Sequence, residues 1–208
     1  MKKIYVLLIL IFFLTSIFAE EQTLIGNDIE SIGGFGGVGT RMVFIGGKTG
    51  LMVGGQGGIL INNQFLIGAS GYGLVSDIDV KERYKNDFDV ISFEYGGLDL
   101  EYIIKPDNAI HSVVGLMIGS GRFSLDKNTY NYEFVDDFIW MLEPKAKIEF
   151  NMIKYFKIDV ALNYRFVFDS ETEDYTNSDL SGLSLELLFK FGGNIFNTTN
   201  KNDLIRSF

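Results

Sequence analysis

The sequence predicts an all-β fold, a single eight-stranded antiparallel up-and-down β-barrel that crosses a membrane. Three observations predict it. Apolar and polar residues alternate with a period of two over long stretches of the C-terminal half, as in strands with one apolar and one polar face. From the second connection onward, the segments between these stretches alternate between short and long. After Phe18, no apolar run reaches the length of a membrane-spanning helix.

The first element of the chain is a leader. Two lysines precede an apolar run that ends at Phe18, and Ala19 offers a small residue at which to cleave. This order predicts a secretory signal peptide over residues 1–19, followed by a periplasmic N-terminal segment over residues 20–32. Because Ile17 is not small, a retained N-terminal anchor is the alternative. The chain has no cysteine, which excludes a lipid-anchored lipoprotein and disulfide bridges.

A glycine-rich stretch follows, with 15 of the 24 glycines between residues 33 and 73. Gly34, Gly36 and Gly39 match the dinucleotide fingerprint G-x-G-x-x-G, but that motif needs a strand before it and a helix after it. The sequence predicts neither, so we reject a nucleotide site. We interpret the glycines as strand residues that leave room in a narrow lumen for long side chains from the opposite wall. The three strands of this stretch are predicted at about residues 33–45, 50–61 and 65–75.

The remaining strands carry the alternation. Charged residues in them occupy the polar phase, which predicts that they project into the lumen. In the fourth strand, Phe93 and Tyr95 are out of phase with Leu98, and this change of phase predicts a bulge at Gly96 and Gly97. The predicted strands are residues 92–104, 110–123, 138–150, 156–168 and 183–191, and the charged groups expected in the lumen include Lys145, Lys147, Glu149, Arg165 and Glu186.

The connections support a barrel with two unlike ends. An even number of strands with short periplasmic turns and long outer loops is the layout of outer-membrane barrels. The connection at residues 46–49 is short where an outer loop is expected, and its two glycines suit a two-residue hairpin turn. The other short turns are predicted at residues 62–64, 105–108 and 151–154, and the long loops at residues 76–89, 126–137 and 169–181.

With these features, the chain resembles the small eight-stranded outer-membrane β-barrels of the OmpA transmembrane-domain and OmpX class over about residues 33–191. The resemblance implies a location in the outer membrane, with outer-membrane lipid as the surrounding partner. The end of the last strand, Phe189-Lys190-Phe191, is similar to the aromatic assembly signal of such barrels. Glu186 stands where that signal often has glycine, and a tail over residues 192–208 follows where such chains usually stop.

Alternation alone does not say which face meets lipid. A soluble periplasmic lipocalin-like barrel, which would hold a small apolar ligand inside, inverts the pattern. Aromatic residues near many strand ends, among them Phe93, Tyr95 and Trp140, resemble the two interfacial girdles of a membrane barrel. We therefore predict that the apolar face points outward, with Trp140 on the lipid face near the outer interface.

The net charge is concentrated in the long loops. Without the two lysines of the leader, 16 basic and 27 acidic residues remain, a net charge of −11. That charge argues against a nucleic-acid partner. The segments at residues 77–89, 126–137 and 169–181 together hold 14 acidic and 4 basic residues. Their field would attract a basic extracellular partner or divalent cations, although no EF-hand spacing is present, and loops kept soluble by charge are the simpler interpretation.

The candidate chemistry of the chain is sparse. His111 is the one histidine, and it is predicted at the periplasmic end, far from the serines of the outer loops. A Ser-His-Asp site is therefore not expected, and the sequence predicts no catalytic, cofactor-binding or metal-binding residues. We predict a non-enzymatic structural or surface-interaction protein that presents acidic loops. The alternatives are the lipocalin-like barrel and a narrow, low-conductance pore.

Overall fold

The computed structural model describes residues 29–79, 90–126, 135–170 and 175–197. The predicted signal peptide, most of the N-terminal segment and the end of the tail lie outside the described residues, and so do parts of all three long loops. In the described part of the chain, no helix is long and apolar enough to cross a membrane.

Eight strands form a closed barrel in which each strand pairs antiparallel with the next and the last pairs with the first. This confirms the predicted fold class. The strands are β1 (Ser31–Ile45), β2 (Lys48–Ile61), β3 (Phe65–Leu74), β4 (Val90–Ile104), β5 (Ile110–Asp126), β6 (Val135–Ile153), β7 (Phe156–Phe168) and β8 (Gly182–Asn197), and a short helix, α1 (Asn177–Leu180), lies between β7 and β8.

The two ends of the barrel differ as predicted. The short-turn end holds the connections β2–β3, β4–β5 and β6–β7, together with Ser31 and Asn197, the first and last residues of the barrel strands. The long-loop end holds the other connections. The exception is the β1–β2 turn, which consists of Gly46 and Gly47 with φ of 56° and 79°. Two successive positive φ angles are the geometry of a tight hairpin turn, and glycine adopts them without a steric cost.

The apolar side chains face outward. The strands run from 10 to 19 residues, at least as long as the roughly 9–11 residues that a tilted strand needs to cross a bilayer. Trp140 lies on this outer face, as predicted, and is 54% exposed. A soluble lipocalin-like barrel requires the opposite facing. Exposed apolar residues on the outer face include Met42, Leu51, Val53, Ile67, Leu98, Leu100, Val114, Ile118, Ile148, Val160, Leu162, Leu185 and Leu187.

Three details of the predicted strands are wrong. The pairing of β4 with both neighbours continues without a register shift through Gly96 and Gly97, so there is no bulge at these residues. Phe93 and Tyr95 are buried in the lumen rather than placed in a lipid-facing girdle. The last strand also continues through Asn197 instead of ending at Phe191.

The lumen is filled in three layers along the barrel axis. Toward the long-loop end lies the outer apolar layer, which includes Met52, Phe93 and Phe123. Toward the short-turn end lies the inner apolar layer, formed by Leu60, Leu66, Ile103 and Val113 with Phe35 packed against them. Between them, and reaching the short-turn end beside β6, β7 and β8, lies an ion layer of charged side chains, most of them buried. The order is visible along β6, which runs from Ile139 and Met141 to Glu143, Lys145, Lys147 and Glu149.

Candidate functional site: the lumen and its two ends

The charged groups of the lumen nearly balance. All five charged groups that the sequence predicted for the lumen lie there, and further strands add the rest. With His111 neutral, six cations face seven anions. The cations are Arg41, Lys145, Lys147, Arg165, Lys190 and the partly exposed Lys157, and the anions are Asp99, Glu101, Asp137, Glu143, Glu149, Asp159 and Glu186.

Arg41 holds the part of the ion layer nearest the outer apolar layer. Its side chain is fully buried, and Nη1 lies 2.7 Å from Glu143 Oε1 while Nη2 lies 3.0 Å from Glu186 Oε2. Nη1 also donates to the Tyr95 hydroxyl at 2.9 Å, and the guanidinium sits 3.5 Å from the centre of the Tyr72 ring. One cation therefore neutralises two carboxylates that would otherwise be buried side by side.

Lysines from β6 bridge the middle of the lumen. Lys145 Nζ donates to Asp99 Oδ1 at 2.5 Å. Lys147 Nζ lies 2.6 Å from Glu101 Oε1, and it also donates to the side-chain oxygen of Gln56 at 3.0 Å. Because these partners come from β2 and β4, the ion layer ties non-adjacent strands together across the barrel.

Glu149 is the centre of the ion layer at the short-turn end. Its carboxylate accepts hydrogen bonds from Lys157 at 2.6 Å and from Lys190, and it lies 2.9 Å from His111 Nε2. Lys190 also reaches Asp159 at 3.3 Å. His111 is thus at the short-turn end as predicted, while Ser170, Ser181 and the other serines of the long loops lie at the opposite end of the barrel.

Glycines face the long side chains of the lumen, as the sequence suggested. A Cβ atom on Gly37 would lie 3.2 Å from Lys190 Cγ, and one on Gly115 would lie 2.8 Å from Glu101 Cγ. A Cβ on Gly54 would lie 2.5 Å from the ring of Tyr72. The small residues therefore make space for the buried polar and charged groups.

Arg41 was not predicted, although it anchors two carboxylates. It lies in the glycine-rich strand β1, where neither face has a clear polar or apolar character. Arg41 stands at an even spacing from Gly37 and Gly39, which face the lumen. This shared phase is the one signal in the sequence that indicates where the Arg41 side chain points.

Loop residues close the lumen at the long-loop end. Tyr175 packs on Phe123 with ring centres 4.9 Å apart, and Leu180 and Ile78 are buried in the same apolar cluster. Two hydrogen bonds to backbone carbonyls hold this plug in place. The Gly46 N–H donates to the Asp179 carbonyl at 2.8 Å, and the Arg165 side chain donates through Nε to the Leu180 carbonyl at 2.8 Å.

Some acids of the long loops stabilise the fold. Asp137 belongs to β6 and accepts a hydrogen bond from the Ser170 hydroxyl at 2.9 Å. Asp179 accepts from the backbone N–H of Thr176 at 3.0 Å as part of a capping box at the start of α1. Within the described ranges, no group of three or more acidic or histidine side chains is arranged to hold a metal ion.

Comparison with known proteins finds similar structures but no similar sequence family. No protein-family model matches the sequence, and no curated protein matches it. Among solved structures, Neisserial surface protein A is similar with a TM-score of 0.54 and 12% identity, over 79% of this chain and 97% of that one. OprG from Pseudomonas aeruginosa is similar with a TM-score of 0.49 and 12% identity, over 82% of this chain and 99% of that one. The attachment invasion locus protein Ail of Yersinia pestis is similar with a TM-score of 0.47 and 15% identity, over 78% of this chain and 99% of that one. The closed barrel of eight strands and the similarity to Neisserial surface protein A together show that the chain has the fold of the small eight-stranded outer-membrane barrels.

Proposed function

We propose that this chain is a non-enzymatic outer-membrane barrel that presents acidic loops to a basic partner outside the cell. The near-neutrality of the lumen is the observation that carries the proposal. Because six cations face seven anions inside the lumen, most of the negative charge of the chain belongs to its ends and chiefly to the three long loops.

The exterior of the barrel supports its placement in a membrane. Apolar side chains cover the outer surface of all eight strands, and a soluble barrel would have to expose them to water. Outer-membrane lipid is the environment that such a surface fits, with the long-loop end directed outward.

The contents of the lumen argue for an anchor rather than a pore. The outer apolar layer and the plug of Tyr175 and Leu180 occupy the lumen at the long-loop end, and the ion layer fills its middle. An ion crossing the barrel would have to displace apolar packing as well as paired charges.

The test neutralises loop charge without removing the plug. The variant replaces Asp169 and Asp174 with Asn and Glu171 and Glu173 with Gln, and it leaves Asp179 in its capping box. Wild type and variant in zwitterionic nanodiscs are compared for binding of a lysine-rich peptide as a function of salt. We expect the variant to bind more weakly and with a shallower salt dependence, because fewer charges attract the peptide.

The matched control neutralises two acids at the short-turn end, Glu30 and Asp107, and should bind the peptide like wild type. Both variants should insert into lipid vesicles, as judged by the mobility difference between heated and unheated samples in electrophoresis. Equal peptide binding by the loop variant and wild type would refute the proposed role of the loops.

A further inference from the structure

A cavity of about 700 Å³ opens at the short-turn end of the barrel. Its floor is the inner apolar layer, with Phe35, Leu60, Leu66 and Ile103 among the lining residues. Its size falls within the range of roughly 300–1,000 Å³ that is typical of small-molecule sites. The cavity is separate from the acidic loops, which lie at the other end of the barrel.

The polar part of the cavity is basic. Of its 15 lining residues, three are lysines (Lys154, Lys157 and Lys190) and none is Asp or Glu. This contrasts with the chain as a whole, which has an excess of nine negative charges. An anion that entered the cavity would therefore meet cations first.

The three lysines of the lining outnumber the carboxylates that pair with them. Lys157 and Lys190 share the carboxylate of Glu149, and Lys190 also pairs with Asp159 at 3.3 Å. Each ammonium has three donors. Lys157 keeps a fifth of its side chain exposed, and Lys154 contacts the Tyr155 ring at 5.0 Å but makes no ion pair with any acid in the described part of the chain.

We propose that this cavity binds a small anionic amphiphile, which enters from the short-turn end as a free molecule. Its apolar body lies against Phe35, Leu66 and Ile103, and its anionic head group accepts hydrogen bonds from Lys157 and Lys154. Burial of apolar surface and charge-assisted hydrogen bonds each contribute to affinity. Neither an apolar cation nor a small anion without an apolar body satisfies both parts of the lining.

The test uses octanoate as the probe. The full mature chain in phosphatidylcholine nanodiscs is titrated with octanoate by isothermal titration calorimetry, and the heat from empty nanodiscs is subtracted. We expect saturable binding of one octanoate per barrel. The double variant Lys154→Gln/Lys157→Gln should weaken it about tenfold or more, because it removes two charged donors. Both positions are at least partly exposed, so the variant should fold.

The controls distinguish binding through charge from binding through apolar contact, and binding in the cavity from binding elsewhere on the surface. Lys105→Gln changes a lysine of the short-turn end that does not line the cavity and should leave octanoate affinity unchanged. Acetate and octyltrimethylammonium should show no saturable binding. Equal octanoate affinity in wild type and the double variant would overturn the proposal, as would binding of the cation. Loss of octanoate binding in nanodiscs that contain phosphatidylglycerol would assign the cavity to a bilayer lipid instead and overturn the free-ligand form.

Discussion

Arg41→Met tests whether the ion layer excludes water, so that Arg41 and not water stabilises the buried carboxylates. The substitution removes the one cation that lies within ion-pair distance of both Glu143 and Glu186 in the described structure. Both carboxylates then remain buried without Arg41, and removal of one member of a buried ion pair typically costs about 3–5 kcal/mol. We expect the free energy of unfolding to fall by about this amount, a large part of the roughly 5–15 kcal/mol that stabilises a typical domain.

Urea unfolding in phosphatidylcholine vesicles, followed by Trp140 fluorescence, measures this change. Arg165→Met is the matched control, because Arg165 is equally buried and donates to the Leu180 carbonyl but pairs with no carboxylate among the described residues. It should cost less than Arg41→Met. Adding Glu143→Gln and Glu186→Gln to Arg41→Met should recover most of the loss, because the buried negative charge is gone.

A small effect would refute this account of the lumen. If Arg41→Met costs less than about 1 kcal/mol, as expected for charges that water screens, then water rather than Arg41 solvates the two carboxylates. The ion layer would then be a hydrated channel section, and the pore interpretation would gain support over the anchor.

Three further predictions use the same preparation. Gly36→Ala should stabilise the barrel by up to about 1 kcal/mol, because glycine weakens a strand and no atom lies within 4 Å of the added methyl group. Gly54→Ala should destabilise the barrel, because its Cβ overlaps a neighbouring carbonyl oxygen. Urea midpoints equal to that of wild type would contradict both predictions. Brominated lipid should quench Trp140 fluorescence, most strongly with bromines near the head groups; no quenching would contradict its outward placement. Tyr175→Ala should cost about 3 kcal/mol, the lower end for truncation of a buried aromatic, and should speed hydrogen exchange of the Gly46 amide, whereas unchanged exchange would show that the plug does not depend on this ring.

The direction of side chains was predictable where the two faces of a strand differ. In β7, apolar residues alternate with Asp159, Asn163 and Arg165, so the lumen side is evident from the sequence. A period of two is visible in a sequence only when the two faces of a strand differ in polarity. In β1 the glycines remove that contrast, which is why the sequence did not place Arg41 in the ion layer.

Phe93 and Tyr95 illustrate the opposite failure. The lumen near the long-loop end is apolar, so an inward phenylalanine looks like a lipid-facing one. On the same strand, Ser92 and Glu94 face outward, at a level where an outward polar residue can meet the polar membrane interface. The apolar pattern of the sequence therefore changes phase here, although the backbone alternates without interruption. The cavity at the short-turn end was also beyond prediction, because it depends on how residues from β1, β4 and β8 meet in space.

The packed lumen separates the two proposed binding regions from each other. The outer apolar layer and most of the ion layer lie between the acidic loops and the basic cavity, whose own lining includes Lys157 and Lys190 of the ion layer. Coupling between distant sites requires an element with two arrangements that both sites bias. The ion layer joins strands through charge pairs such as Lys147 with Glu101 at 2.6 Å, and a rearrangement would separate buried charges at a high cost. A peptide on the loops should therefore leave octanoate affinity at the short-turn end unchanged. A change in that affinity would show that the ion layer moves.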